Sequence, residues 1–392
     1  MNNIYLFLLL CIVSPLMAQV APSQVFNDTR TFEVSACSPS KGKLISAWME
    51  KRPVRKDNSS EAVNMQVAYK SSVNNGKSWT EKAIIDMPNT FATGNPFVAN
   101  NEKGDCYLVC MHIGNNFYSG NISLYAFDFK EKKFNLKSVP VKSENRLLDK
   151  PSIVCSGHDI HLVYVSYEAV QRGFKNAVKY QMSKDKGQTW TDPVTVFRDS
   201  TIRYLGPSIT ILKGNQVAVA AGSYGRKDIY FAKRKMNTMA FESPVSVSKV
   251  SAKLGSAMTE MFNDGKRLML TWQCPHQRSE TYLSFSTDGG MTWADPLMLN
   301  TSGNLLSSVF DKKGNIHCIY ADFNNQHFYI GYKVLNAQYE VLKEEKLTLP
   351  ASYTFNEYLG AYQKLLIHQK ELFAFWIDYP GNSTLKFTRF KI

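Results

Sequence analysis

One eight-residue pattern occurs three times, and it constrains the fold more than any other feature of the chain. Ser72-Val-Asn-Asn-Gly-Lys-Ser-Trp79 returns as Ser183-Lys-Asp-Lys-Gly-Gln-Thr-Trp190 and as Ser286-Thr-Asp-Gly-Gly-Met-Thr-Trp293. The shared form is S-x-[DN]-x-G-x-[ST]-W. Each copy follows an apolar strand-like run (MQVAYK, AVKYQM, TYLSF) and leads towards another. The residue types are those of a hairpin turn. Asp or Asn folds its side chain onto nearby backbone N–H groups, Gly supplies a positive φ, and Trp covers the hairpin base with apolar surface. A turn repeated in this way predicts a repeat protein.

The stretches between the turns repeat too. A first strand follows a Gly- or Pro-bearing loop: TFEVSAC, GNPFVAN, KPSIVCS, GPSITIL, GSAMTEMF, LLSSVF, GAYQKLL. A second strand (LISAWM, CYLVCM, IHLVYV, VAVAAG, LMLTW, IHCIYA, LFAFWI) and a third (NMQVAYK through TLKFTRF) complete each unit. Seven units start roughly 50–60 residues apart, the spacing of propeller blades. The expected fold is an all-β propeller of four-stranded blades, seven by count with six as the alternative. The last unit ends at Ile392 after three strands. The segment Ser23–Asp28 is therefore expected to supply its fourth. No helical periodicity of useful length interrupts the pattern.

Met1–Ala18 carries an apolar run from Ile4 to Val13 followed by Ser14, Pro15 and Ala18. That is too short to span a bilayer and reads as a signal peptide cut near Ala18. Residues 19–392 are then one exported domain, periplasmic or extracellular, with no transmembrane segment. Six cysteines remain after Cys11 leaves with the signal: Cys37, Cys106, Cys110, Cys155, Cys274 and Cys318. Most sit in apolar strand-like runs and read as buried thiols. Cys106 and Cys110 fall on one strand, too far apart to bridge. No spacing matches a metal site, and no cofactor is expected. Lys+Arg 46 against Asp+Glu 33 gives +13, a surface that attracts anions. The positive charges are dispersed and the chain is exported, which argues against nucleic acid.

In a propeller the first strands line a central channel, and their leading loops and the exits of the second strands shape one mouth. First-strand candidates are Glu33, Asn95, Asp149, Lys150, Arg203, Tyr204, Ser256, Glu357, Tyr358 and Tyr362. Second-strand candidates include His112, Tyr167, Tyr224, Arg226, Trp272, Asp322 and Trp376. Aromatics, carboxylates and arginines together suit a glycan or oligosaccharide. The alternative for Trp272 and Trp376 is packing between blades.

With the repeated turns, the signal and the blade spacing, the chain resembles the sialidase superfamily, whose Asp-box is this turn. There the box is structural and usually lies away from the active site. The resemblance implies three arginines on a substrate carboxylate, a Tyr–Glu nucleophile and an acid/base Asp. Position by position the match is partial. Glu33 stands where the first Arg belongs. Ala62–Tyr69 holds no Asp, with Asp57 and Glu61 as nearby substitutes. Ser256 falls where the catalytic Glu belongs, and Glu260 matches a second, non-catalytic Glu. Trp272 and Gln326 or His327 fall at the other Arg positions. Tyr362, in Gly360-Ala-Tyr-Gln-Lys-Leu365, matches the nucleophile.

The expected function is a glycoside hydrolase that releases a terminal sugar, acidic sugars included, and acts as a monomer. Its catalytic candidates are Tyr362, Glu357 and Glu260. Its substrate-binding candidates are Glu33, Asp149, Lys150, Arg203, Tyr224, Arg226, Trp272 and Trp376. The alternatives are a non-catalytic glycan-binding propeller, and a lyase or other glycosidase on a seven-bladed scaffold using His112, Tyr167, Tyr224 and Arg226.

Overall fold

The computed structural model describes residues 23–52, 65–85, 90–114, 119–170, 173–224, 228–248, 257–274, 280–300, 303–324, 327–352, 363–368, 370–378 and 383–392. Its strands form seven separate antiparallel sheets of at least four strands. The count of seven blades is therefore correct and the six-bladed alternative is excluded. Among the described residues the one helical piece is a short 3₁₀ turn at Lys213–Asn215.

Each blade runs outward from an inner strand. The inner strands are Thr31–Ser40, Ala92–Asn100, Arg146–Ser156, Arg203–Ile211, Ala257–Asn263, Gly303–Phe310 and Lys364–His368, for blades 1 to 7 in order. Each touches the next, and the seventh touches the first, so the ring closes. Small hydroxyl residues let these strands approach. The Val98 amide donates to Ser35 Oγ at 3.0 Å and the Leu365 amide to Ser307 Oγ at 3.1 Å.

Closure uses the chain's beginning, as the missing fourth strand implied. Gln24–Asn27 pairs antiparallel with Thr384–Lys391 as the outermost strand of blade 7. Phe26 is its anchor. The ring is buried edge-on against Trp48, Trp79 and Phe375, with centroids 4.7–5.5 Å away. Asn27 also donates to the fully buried Glu50 at 2.9 Å, whose carboxylate takes further bonds from Trp48, Gln66 and Lys82. A buried carboxylate is tolerable only when its oxygens are satisfied in this way.

The three repeated turns join third to fourth strands in blades 1, 3 and 5. By strand direction they lie on the face opposite the starts of the inner strands. In blade 3, Ser183 Oγ donates to Asp185 at 2.7 Å and accepts from the Gly187 amide at 2.8 Å. Asp185 accepts the Thr189 amide at 2.9 Å and its hydroxyl at 2.6 Å. Blade 5 repeats this set through Ser286, Asp288, Gly290 and Thr292. Blade 1 carries Asn74, which accepts the Ser78 amide and donates to the Ser78 hydroxyl. These bonds hold the Asp185 and Asp288 carboxyls below their ordinary pKa.

The cysteines at 37, 106, 110, 155 and 318 are buried free thiols. Cys37 and Cys106 come from adjacent blades and meet at Sγ···Sγ 3.4 Å. Two buried histidines repeat one local device: His161 bonds the Tyr180 hydroxyl at 2.7 Å, and His317 bonds that of Tyr332 at 2.6 Å.

Candidate functional site

The inner strands of blades 2, 3 and 4 share a sequence device: Gly94-Asn95-Pro96, Asp149-Lys150-Pro151 and Leu205-Gly206-Pro207. In each ladder the register slips at this point. The residue before Pro takes a left-handed backbone, φ 49° at Asn95, 50° at Lys150 and 46° at Gly206. Such a bulge re-aims side chains. For Asn95 and Lys150 it also carries backbone strain of about 1–3 kcal/mol, which persists where the surroundings enforce it.

The bulges turn Asn95 and Lys150 into a cavity of about 160 Å³ at the channel mouth. There Lys150 Nζ donates to Glu33 Oε1 and, at 2.8 Å, to Asn95 Oδ1. Asn95 Nδ2 donates to Asp149 at 2.5 Å, and Asp149 also accepts the Lys150 amide at 2.9 Å. Blades 1, 2 and 3 are thereby tied through one polar cluster. Across the cavity, Lys364 of blade 7 donates to Glu260 of blade 5 at 2.5 Å. Glu33 is 5% exposed. Burial pushes its carboxyl above the ordinary range, and Lys150 only partly offsets this.

Two lining residues keep unpaired polar atoms. The Gln363 amide is 4% exposed, and neither its Nε2 nor its Oε1 has a hydrogen-bond partner among the described residues. The Trp272 indole N–H is also buried and unpaired there. An unsatisfied buried polar group costs about 1–3 kcal/mol; the indole N–H groups of Trp79, Trp293 and Trp376 share this state away from the cavity, whereas Gln363 leaves both ends of its amide unpaired within the lining. The Trp272 indole is stacked on Tyr282 at 5.9 Å and belongs to the packing between blades. Trp272 therefore offers a ligand its N–H edge and no open face.

The structure brings Glu33, Lys150, Glu260 and Trp272 to one cavity, with Asp149 one bond behind. It does not bring Trp376, which is fully buried in the blade 7 core and packs as the alternative reading had it. Arg203 is exposed at the start of the blade 4 inner strand, paired in register with Tyr224, and does not line the cavity. Arg226, Glu357, Tyr358 and Tyr362 lie outside the described residues, as does the Tyr224 side chain; Asp57, Glu61 and Ser256 do too. His112 does not line the cavity either. It is buried against Thr93 at 3.0 Å and Tyr125 at 3.2 Å, and burial lowers its pKa to about 4. Gln363 and Lys364 were not singled out from sequence. Their signal was present: in sequence they directly follow Tyr362 in the run GAYQKLL.

No protein-family model matches the sequence, and no curated protein matches it. Solved structures do. An α-L-arabinanase of Penicillium chrysogenum complexed with arabinobiose aligns at TM-score 0.55 and 13% identity, over 95% of this chain and 98% of that one. An α-L-arabinofuranosidase of Fusarium graminearum, also with arabinobiose, aligns at 0.57 and 13%, over 95% and 98%. The NanB sialidase of Streptococcus pneumoniae aligns at 0.52 and 12%, over 95% and 71%. The propeller of this chain is thus similar to those of sialidase and arabinofuranosidase glycosidases, and at these identities the likeness is one of fold.

Proposed function

We propose that the protein is an exported glycoside hydrolase that releases a terminal sugar from a glycan at the channel mouth. The observation that carries this is the cavity's combination of two carboxyls, Glu33 and Glu260, with the unpaired amide of Gln363. Glycoside hydrolysis needs an acid for the leaving oxygen and a second group on the other side of the bond. Glu33, raised by burial, fits the acid. Glu260, held as an ion pair by Lys364, fits the base or nucleophile, and Tyr362 with Glu357 is the rival for that role. Gln363 and Trp272 N–H would meet sugar hydroxyls. Asp149 and Asn95 position Lys150. Arg203, exposed at the start of the blade 4 inner strand, would bear on the part of the glycan outside the cavity, and Tyr224 and Arg226 remain substrate-binding candidates.

The charge of the cavity bears on the sugar. Its described lining holds Glu33 and Glu260 against Lys150 and Lys364, with no arginine. Each lysine is already engaged by a carboxylate. A neutral terminal sugar is the first expectation, since no arginine is there to fork a substrate carboxylate and Lys364 is engaged by Glu260; with Glu33 protonated as the acid, Lys150 is the one lining lysine whose paired carboxyl is neutral. The arabinobiose complexes of two similar propellers make arabinofuranosides the first substrates to try.

The test is a hydrolysis screen of residues 19–392 on neutral, sialyl and uronyl aryl-glycosides. Turnover of a neutral glycoside is expected. Glu33→Gln and Glu260→Gln should each lower kcat by about 10²–10⁴-fold. The acid role predicts that activity falls as pH rises through the raised pKa of Glu33. Tyr362→Phe separates the two nucleophile readings: loss of activity assigns Tyr362, retention assigns Glu260. Binding of oligosaccharide without turnover of any substrate would replace the hydrolase by a glycan-binding propeller.

A further inference from the structure

A second cleft lies on blade 3, apart from the channel. It is framed by Arg146, Glu168, Lys175, Lys179 and Arg198. The sheet register explains the grouping. Arg146, Glu168 and Lys175 are cross-strand partners in one row, and Ser166, Ala177 and Arg198 form the next row on the same side of the sheet. Long charged side chains thus surround a floor of the small residues Ser166 and Ala177, both buried. Four cations face one carboxylate. Glu168 reaches two of them only loosely, Arg146 at 4.0 Å and Arg198 at 3.9 Å. Lys179 is half-buried, and its Nζ is turned to Thr195 Oγ1 at 2.7 Å rather than to an acid. Burial, and then the nearby Arg146 and Arg198, lower its pKa.

Clustering like charges is unfavourable unless something negative visits them. The two guanidinium groups offer forked donors that match planar oxyanions. We propose that this cleft is an accessory binding site for an oxyanion substituent, carboxylate or sulfate ester, carried by a polysaccharide. The channel then takes a neutral chain end, and the blade 3 cleft holds an acidic part of the same polymer. The site itself does not depend on whether the channel catalyses anything.

The test is affinity electrophoresis of the full mature chain through gels containing polygalacturonate, dextran sulfate or neutral dextran, at low and high salt. Retardation by at least one anionic polymer, weakened by salt, and none by neutral dextran is expected. The double variant Arg146→Gln/Lys179→Gln should weaken binding about tenfold. The control Lys77→Gln/Lys266→Gln removes the same charge from exposed turns elsewhere and should change it less than twofold. If the melting temperature of the first variant falls, Arg146→Gln/Arg198→Gln replaces it, since Arg198 is well exposed. Retention by polygalacturonate alone assigns a carboxylate, by dextran sulfate alone a sulfate ester, and by both a site for either. Equal weakening by cleft and control variants, or no retardation by either anionic polymer, overturns the proposal. Hydrolysis of a small neutral aryl-glycoside is a separate readout, expected to be unchanged in the cleft variants, so this proposal and the channel reading can fail independently.

Discussion

The repeated turns and the channel mouth differ in how far their polar groups are tied together, although the turns too leave the Trp79 and Trp293 indole N–H groups and Asn75 Oδ1 buried without partners among the described residues. In the turns of blades 3 and 5, the Ser and Thr hydroxyls, the Asp oxygens and the Gly amide are all engaged inside eight residues. At the channel mouth, Gln363 and the Trp272 N–H are buried without partners among the described residues, and Asn95 and Lys150 sit in left-handed backbone. Left-handed backbone occurs in both places, at Asn75 and Lys186 in the turns as at Asn95 and Lys150; what sets the mouth apart is an amide with both its donor and its acceptor unpaired in the lining of a cavity. The difference teaches where stability ends and function begins on a scaffold whose blades are otherwise alike. Substitutions can be ranked by how hard they strain that contrast.

The largest expected stability loss is at the closure. Phe26→Ala would remove the ring that joins Trp48, Trp79 and Phe375 across the first and last blades. A buried Phe→Ala change costs about 3–5 kcal/mol. Urea unfolding monitored by tryptophan fluorescence should show the midpoint shift, and the first blade should lose amide protection with it. A smaller loss than for a surface Phe would mean the terminal strand does not seal the ring.

Next are the turns. Gly187 has φ 82°, and a Cβ there would stand 2.1 Å from Leu124 Cδ2 of the neighbouring blade. Gly187→Ala should cost about 2–4 kcal/mol, from backbone strain and overpacking together. Its specific activity per folded molecule should be unchanged, because the turn lies on the far face. Ser183→Ala removes the hydroxyl that the Gly187 amide donates to, and about 1–2 kcal/mol is expected. Acid should add to this comparison. The depressed pKa of Asp185 means its contribution is present above the ordinary Asp range and is lost as pH falls below that range. Asp185→Asn should therefore unfold more easily at neutral pH yet lose less further stability on acidification. Thermal melts at pH 7 and pH 3 measure both.

Much of this was legible in the sequence, for identifiable reasons. The turns declare themselves because their bonds are local, so Ser, Asp, Gly and Trp must recur at fixed offsets. The closing strand was readable because the last unit is one strand short. Glu33 and Lys150 could be placed near the channel because blade periodicity fixes where first strands begin. Their partnership could not, since it joins residues 117 positions apart. The pairing of Glu260 with Lys364 spans 104 positions and depends on how the ring closes. Trp376 holds the same position in the blade repeat as Trp272 and is as deeply buried, and what separates them is that Trp272 lines the cavity and Trp376 does not. Gln363 shows the converse: its type is unremarkable in sequence, and only burial without a partner singles it out.

That last residue gives the smallest stability change and the sharpest discrimination. In the turns, deleting a polar atom breaks bonds the fold uses. At Gln363 the fold uses none among the described residues, so Gln363→Leu removes an amide whose burial is unfavourable while nearly keeping its volume. Melting temperature should stay within about 2 °C of the parent or rise, since surplus polar burial is relieved. Ligand binding should move the other way. A site built to hydrogen-bond a hydroxyl loses about 1–3 kcal/mol when one partner is taken away, which is roughly a 5- to 150-fold weakening of oligosaccharide affinity by calorimetry. If Gln363→Leu instead destabilises the protein as Ser183→Ala does, the amide is a structural group bonded beyond the described residues. The channel mouth would then be as self-sufficient as the opposite face, and the paired carboxyls alone would have to carry the case for a site.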